Sequence, residues 1–122
     1  MTAEQQRITI SEACGWTILH ATWAGIPPNA EEDCRTEFDL VPLPQYPLDR
    51  NAICAAVEHM ICLHGWNFQQ PYIECLKLII KRRRKGMNEA QSLFWLSEAT
   101  AQQRCEAFID ALAIMKTVKE LP

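Results

Sequence analysis

With 122 residues, 48% of them hydrophobic and 22% charged, the chain has the composition of one globular domain, and both global disorder and a membrane span are disfavoured. A domain of this length buries roughly two-thirds of its unfolded surface and is stable without staples. The net charge of −3 conceals an asymmetry: five of the twelve basic residues are contiguous at 81–85, and without them seven cations face fifteen anions.

Residues 1–7 are polar and lack the apolar stretch of a signal peptide, so the expected location is the cytoplasm, with no membrane attachment. Six cysteines in a short chain suggest disulfides only where export is signalled, and here reduced thiols are expected. Cys54, Cys62, Cys75 and Cys105 fall in apolar helical context, which predicts small buried hydrophobes.

In chain order, Thr9 and Glu12 form a capping-box pattern that predicts a short helix over about Ile10–Cys14, stopped at Gly15. Trp16–Trp23 is rich in aromatic and β-branched residues between two glycines and predicts a strand. From Gly25 to Pro47, five prolines at short intervals predict a long irregular, acidic loop, with Phe38–Val41 as an edge strand inside it. Asp49 is the expected N-cap of a helix with Ile53, Ala56, Val57, Met60 and Ile61 on its apolar stripe and Gly65 as its stop. A turn over Gly65–Gln70 then leads to a helix with Pro71 in its first position, a stripe at Tyr72, Ile73, Leu76, Ile79 and Ile80, and the basic run at its end. Ser92–Leu96 reads as a second strand. Thr100 and Gln103 cap a final helix whose apolar face is Cys105, Phe108, Ile109, Leu112 and Met115. The economical architecture is α+β: a single domain over 1–122, a layered α/β sandwich with a small sheet packed by about four helices.

Little in this pattern carries chemistry. Cys62, His64 and His59 are the nearest approach to a metal cluster, but there is no Cys-x-x-Cys pair and no histidine at i, i+4 spacing with another ligand type, and no metal or other cofactor is expected. No glycine-rich phosphate loop, nucleophile elbow or paired-carboxylate motif appears, so the chain reads as a binder and not an enzyme. The basic run Lys81, Arg82, Arg83, Arg84 and Lys85 is the sharpest feature. It suits a helix end that offsets the negative end of its dipole, and equally a site whose guanidiniums hold phosphate or an acidic protein patch. Net acidity disfavours non-specific DNA binding. Of the four tryptophans, Trp66 follows Gly65 and is the one expected at the surface, the makings of a hot spot or stacking platform beside the arginines. The acidic residues Glu31, Glu32, Asp33, Glu37 and Asp39 form a second candidate partner surface.

Three short segments resemble one family. Glu98–Phe108 is similar to the "ATAxQRxEAF" signature of small phage and prophage proteins of the phage ABA sandwich family. Ile10–Trp16 resembles their "EAxGW" start, and Pro47–Ala52 their "YLxDLNAMHEAE" helix entry. The acidic, proline-rich Glu31–Pro47 and the Lys81–Lys85 run depart from the pattern. The resemblance implies a compact α/β sandwich of viral origin and supplies no active site. Small non-catalytic phage proteins often occupy a host component, which makes an antagonist of host defence, of the anti-CRISPR type and acting by stoichiometric binding to a host protein or complex, the leading expectation. A trap for a nucleotide immune signal, with Arg82–Arg84 on phosphates, and a regulatory or structural phage protein are the alternatives; self-association stays open.

Overall fold

The computed structural model describes residues 2–18, 24–27 and 41–120. Five helices and a small antiparallel sheet make up these residues, a mostly helical α+β arrangement. The first helix, α1, spans Ala3–Ala13, much longer than the expected helix at Ile10–Cys14. Two Thr-x-x-Glu/Gln patterns compete at this end, and the earlier one wins. The Thr2 side chain accepts from the Gln5 N–H at 3.2 Å, and the Gln5 side chain accepts from the Thr2 N–H at 2.8 Å. Thr9 and Glu12 therefore lie inside the helix, and Ile10 and Ser11 are completely buried. Gly15, at φ 93, provides the expected stop.

Strands β1 (Thr17–Ile18), β2 (Ala24–Ile26) and β3 (Val41–Pro42) pair antiparallel in the order β1-β2-β3. Only Thr17–Ile18 of the expected Trp16–Trp23 strand is β1, and its residues 19–23 lie outside the described ones. Gly25 and Ile26, read as loop, belong to the central strand. Gly25 permits this pairing, because a Cβ there would stand 2.6 Å from the Thr17 carbonyl oxygen. β3 is an edge strand, where Pro42 is tolerated; residues 38–40 of the expected edge strand are outside the described ones.

Helix α2 spans Arg50–His64, with the Asp49 side chain accepting from the N–H groups of Asn51 and Ala52 at 3.0 and 3.2 Å. Its stripe of Ile53, Ala56, Val57 and Met60 is buried, as the spacing predicts. Gly65, at φ 60 and ψ −134, closes α2 and opens α3 (Trp66–Arg83) without an intervening loop. That backbone conformation is nearly restricted to glycine. Pro71 is consequently inside α3, not at its first position. The first turns of α3 are helical despite the missing N–H, and Phe68 within them is completely buried.

Ser92–Leu96 is not a strand. It belongs to α4 (Glu89–Ser97), which begins with a capping box: the Asn88 side chain accepts from the Gln91 N–H at 2.8 Å, and the Gln91 side chain accepts from the Asn88 N–H at 3.0 Å. Helix α5 spans Ala101–Glu120, and its Thr100–Gln103 capping box forms at 2.9 and 3.1 Å. Helices α3 and α5 make the most extensive contact in the fold. Cavity linings pair Arg83 with Thr100 at one end of the two helices and Asn67 with Met115 at the other, so they run antiparallel. The core lies between them: Phe68 meets Phe108 edge-on at 5.1 Å and 62°, and stacks near Tyr72 at 5.7 Å and 15°. Ile10 from α1 and Ile53, Val57 and Met60 from α2 complete the cluster.

Candidate anion-binding site

The basic run occupies the C-terminal end of α3. Lys81, Arg82 and Arg83 form its last turn, Arg84 is the C-cap, and Lys85 follows. All five side chains are exposed, and among the described residues none forms an ion pair with a carboxylate. Cations here favour the negative end of the α3 dipole, by about 0.3 to 1 kcal/mol each when exposed.

Successive helical residues rotate by about 100°, which splits the run across two sides of α3. Arg83 and Arg84 line a cavity of about 390 Å³ between α3, α4 and the start of α5. Ile80 and Trp95 supply its apolar lining, and Glu98, Thr100 and Gln103 its polar lining. Arg82 lies elsewhere, in a groove of about 330 Å³ that also holds Gln6, Gln102, Glu106 and Asp110. The expected fan of Arg82, Arg83 and Arg84 around one ligand is thus only partly formed: two converge and the third faces acidic neighbours.

Arg84 leaves the helix at φ −133 and ψ 86, and its guanidinium lies over the Trp95 ring, 3.3 Å from the centroid. A cation this close to an indole face is held by the ring quadrupole, at about 0.5 to 1 kcal/mol in an exposed setting. Trp95 is itself held edge-on by Phe94 at 5.1 Å and 82°. Two arginines fix the end of α4 that carries it. Arg104 donates to the carbonyls of Ala99, Leu96 and Ser97 at 3.1, 3.3 and 3.3 Å, and Arg50 donates to the Ser97 carbonyl as well. The α5 capping box holds Thr100 and Gln103, which also line the cavity.

Trp66 is exposed, 64% of its surface remaining accessible, as its place after Gly65 predicts. It does not join the arginines: it begins α3 and they end it, about 25 Å apart at 1.5 Å per residue. The tryptophan beside the arginines is Trp95, which the reading of 92–96 as a strand conceals. Trp16 and Trp95 are half-buried against the core. Trp23 and the acidic candidates Glu31, Glu32, Asp33, Glu37 and Asp39 lie outside the described residues.

The described cysteines are free thiols. Cys14, Cys75 and Cys105 are buried, Cys54 is half-buried, and Cys62, expected to be buried, is exposed. Position 62 falls off the stripe at 53, 56, 57 and 60 that faces the core. Burial pushes the Cys14 thiol up to about 11 and the Cys105 thiol up to about 12, and it raises Cys75 too. Both values exceed the ordinary thiol value of 9.0, so this contribution to stability is whole below that pH and is lost as pH rises through 11 to 12. Native-state alkylation read by peptide mass spectrometry should accordingly modify Cys62 well before Cys14 or Cys105. Equal labelling of Cys105 at neutral pH would contradict the packing.

Among the described residues no three His, Cys, Asp or Glu side chains gather as a metal site requires, and no helix is long and apolar enough to cross a membrane. No family model, curated protein or solved structure matches the chain.

Proposed function

We propose that the protein is a non-catalytic binding protein of phage origin that antagonises a host defence component in the host cytoplasm, by stoichiometric association through the basic end of α3. The observation that carries the binding surface is the set of five exposed cations without a carboxylate partner among the described residues, one of them fixed on an aromatic ring. Rim cations of this kind steer an acidic partner and set the rate of encounter, while an arginine already held in place loses less freedom on binding and so serves as an anchor. Phage origin and the defence target draw on the resemblance of Glu98–Phe108 and the two shorter segments. The same proposal takes the helices and small sheet to be the layered α/β sandwich of that family.

Expression of the protein in a host protected by a nuclease-based defence system tests the proposal. Phage plating should rise with the native protein, and a complex of fixed stoichiometry with the purified defence component should appear on size exclusion. The combined Arg82→Glu, Arg83→Glu and Arg84→Glu protein should lose both effects and keep its circular dichroism, since all three side chains are exposed. Equal protection by the charge-reversed protein would sink the assignment of the surface, and no protection by the native protein would sink the antagonist reading.

A further inference from the structure

We infer that the cavity between α3, α4 and α5 is a binding site for a nucleoside phosphate, with Arg83 and Arg84 on the phosphate and Glu98 and Gln103 on the nucleoside. The inference rests on the basic end of α3 being the working surface. It adds a small ligand with its own defined recognition.

Stacking on Trp95 occupies one face of the Arg84 guanidinium, at 3.3 Å, and its N–H edge has no hydrogen-bond partner among the described residues. A guanidinium edge matches two phosphate oxygens in a bidentate pair, and Arg83 on the same wall provides a second. Because the stack orients Arg84 before any ligand arrives, less side-chain freedom is lost on binding.

Glu98 decides between ligand classes. A carboxylate in the lining repels a bare inorganic anion, so a site for free phosphate or sulfate is poorly served by it. A ligand that carries phosphate at one end and hydrogen-bond donors at the other uses both: the hydroxyl or amino groups of a nucleoside donate to Glu98. Gln103 has committed its side-chain oxygen to the Thr100 N–H at 2.9 Å, which leaves its amide N–H groups to donate to base or sugar oxygens. The volume of about 390 Å³ lies at the low end of the range for small-molecule sites, which is the scale of one nucleotide.

Calorimetric titration of the intact protein with each of the four ribonucleoside 5′-monophosphates, and with adenosine and inorganic phosphate, tests this. At least one monophosphate should bind saturably, with adenosine and inorganic phosphate each weaker by about tenfold or more, the worth of one charge-assisted contact. Arg83→Ala and Arg84→Ala should each weaken the monophosphate by a similar factor, whereas Arg82→Ala, which faces the other groove, should leave it unchanged. Glu98→Gln changes an exposed side chain and should erase much of the preference for the nucleotide over inorganic phosphate. Saturable binding with that pattern supports the inference. No monophosphate binding at millimolar concentration overturns it, as does equal weakening by Arg82→Ala, which would mean diffuse charge and no site. Either negative result leaves the protein-antagonist reading to be judged by plating, and absence of plating protection by the native protein, with nucleotide binding intact, would overturn that reading alone.

Discussion

Replacing Phe108 with alanine should destabilise the fold by about 3 to 5 kcal/mol, among the largest effects available in this chain. Phe108 is completely buried on α5 and meets Phe68, also completely buried, across the most extensive helix pair in the molecule. Removing the ring discards its transfer free energy and leaves a hole that two packed helices refill only partly. Phe68→Ala should cost a comparable amount. The double replacement should cost less than the sum, because the edge-on geometry at 5.1 Å and 62° is worth about 0.5 to 1.5 kcal/mol beyond area, and the second truncation finds it already lost. Urea unfolding of the four proteins measures this cycle. A Phe108→Ala loss below 2 kcal/mol would mean that α5 closes onto α3, and strictly additive losses would mean that the two rings do not interact.

The helices legible in the sequence are those in which several signals agree. Asp49, the stripe at Ile53, Ala56, Val57 and Met60, and Gly65 name the same span from three independent directions, and α2 follows them closely. Thr100 and Gln103 fix the start of α5 in the same way. Where two readings share the same residues, composition of the segment alone does not decide between them. Leu93-Phe94-Trp95-Leu96 satisfies a strand by composition. What makes it a helix is the Asn88–Gln91 capping box before it and the Arg104 and Arg50 bonds to its last carbonyls, and Arg50 comes from a segment 47 residues away. At the N-terminus, Thr2-x-x-Gln5 and Thr9-x-x-Glu12 are equally good boxes, and the earlier one allows Gln6 and Arg7 to be buried by the rest of the fold. Pro71 marked a helix start that was not one, since the burial of Phe68 carries the helix back to Trp66.

The site was half legible for the same reason. The basic run stands out in any reading of charge, but its aromatic partner depends on whether residue 95 is in a strand or a helix. A strand directs Trp95 into a sheet. In α4 it lies half-buried against α3, within reach of Arg84. The Asn88-x-x-Gln91 spacing was the signal that would have moved the assignment from Trp66 to Trp95. Nothing in local sequence separates Arg82 from Arg83 and Arg84, because that division depends on which helices flank the end of α3.

Arg7→Ala should cost about 3 kcal/mol or more, although no carboxylate among the described residues pairs with this arginine. The side chain is 8% exposed, and it donates from Nε to the Pro44 carbonyl at 3.2 Å and from Nη2 to the Leu43 carbonyl at 2.6 Å. The proline-rich stretch explains the need. Pro42, Pro44 and Pro47 have no N–H to contribute, so carbonyls in this stretch must find donors elsewhere, and a guanidinium from α1 serves two of them at once. Alanine would strand both oxygens and remove the packed stem. Methionine keeps most of the stem and restores neither bond, so Arg7→Met should fall between alanine and the native protein. Lysine, with one compact head in place of a fork, should not recover both bonds. The measured loss is the cost of orphaning buried carbonyls, not the net worth of burying the charge. Hydrogen exchange locates the effect: the amides of Leu48 and Asp49, which donate to the Gln45 carbonyl at 2.9 and 2.8 Å, should lose protection, while amides in the middle of α5 should not. An Arg7→Met protein as stable as the native one would show that these carbonyls reach water when the guanidinium is gone.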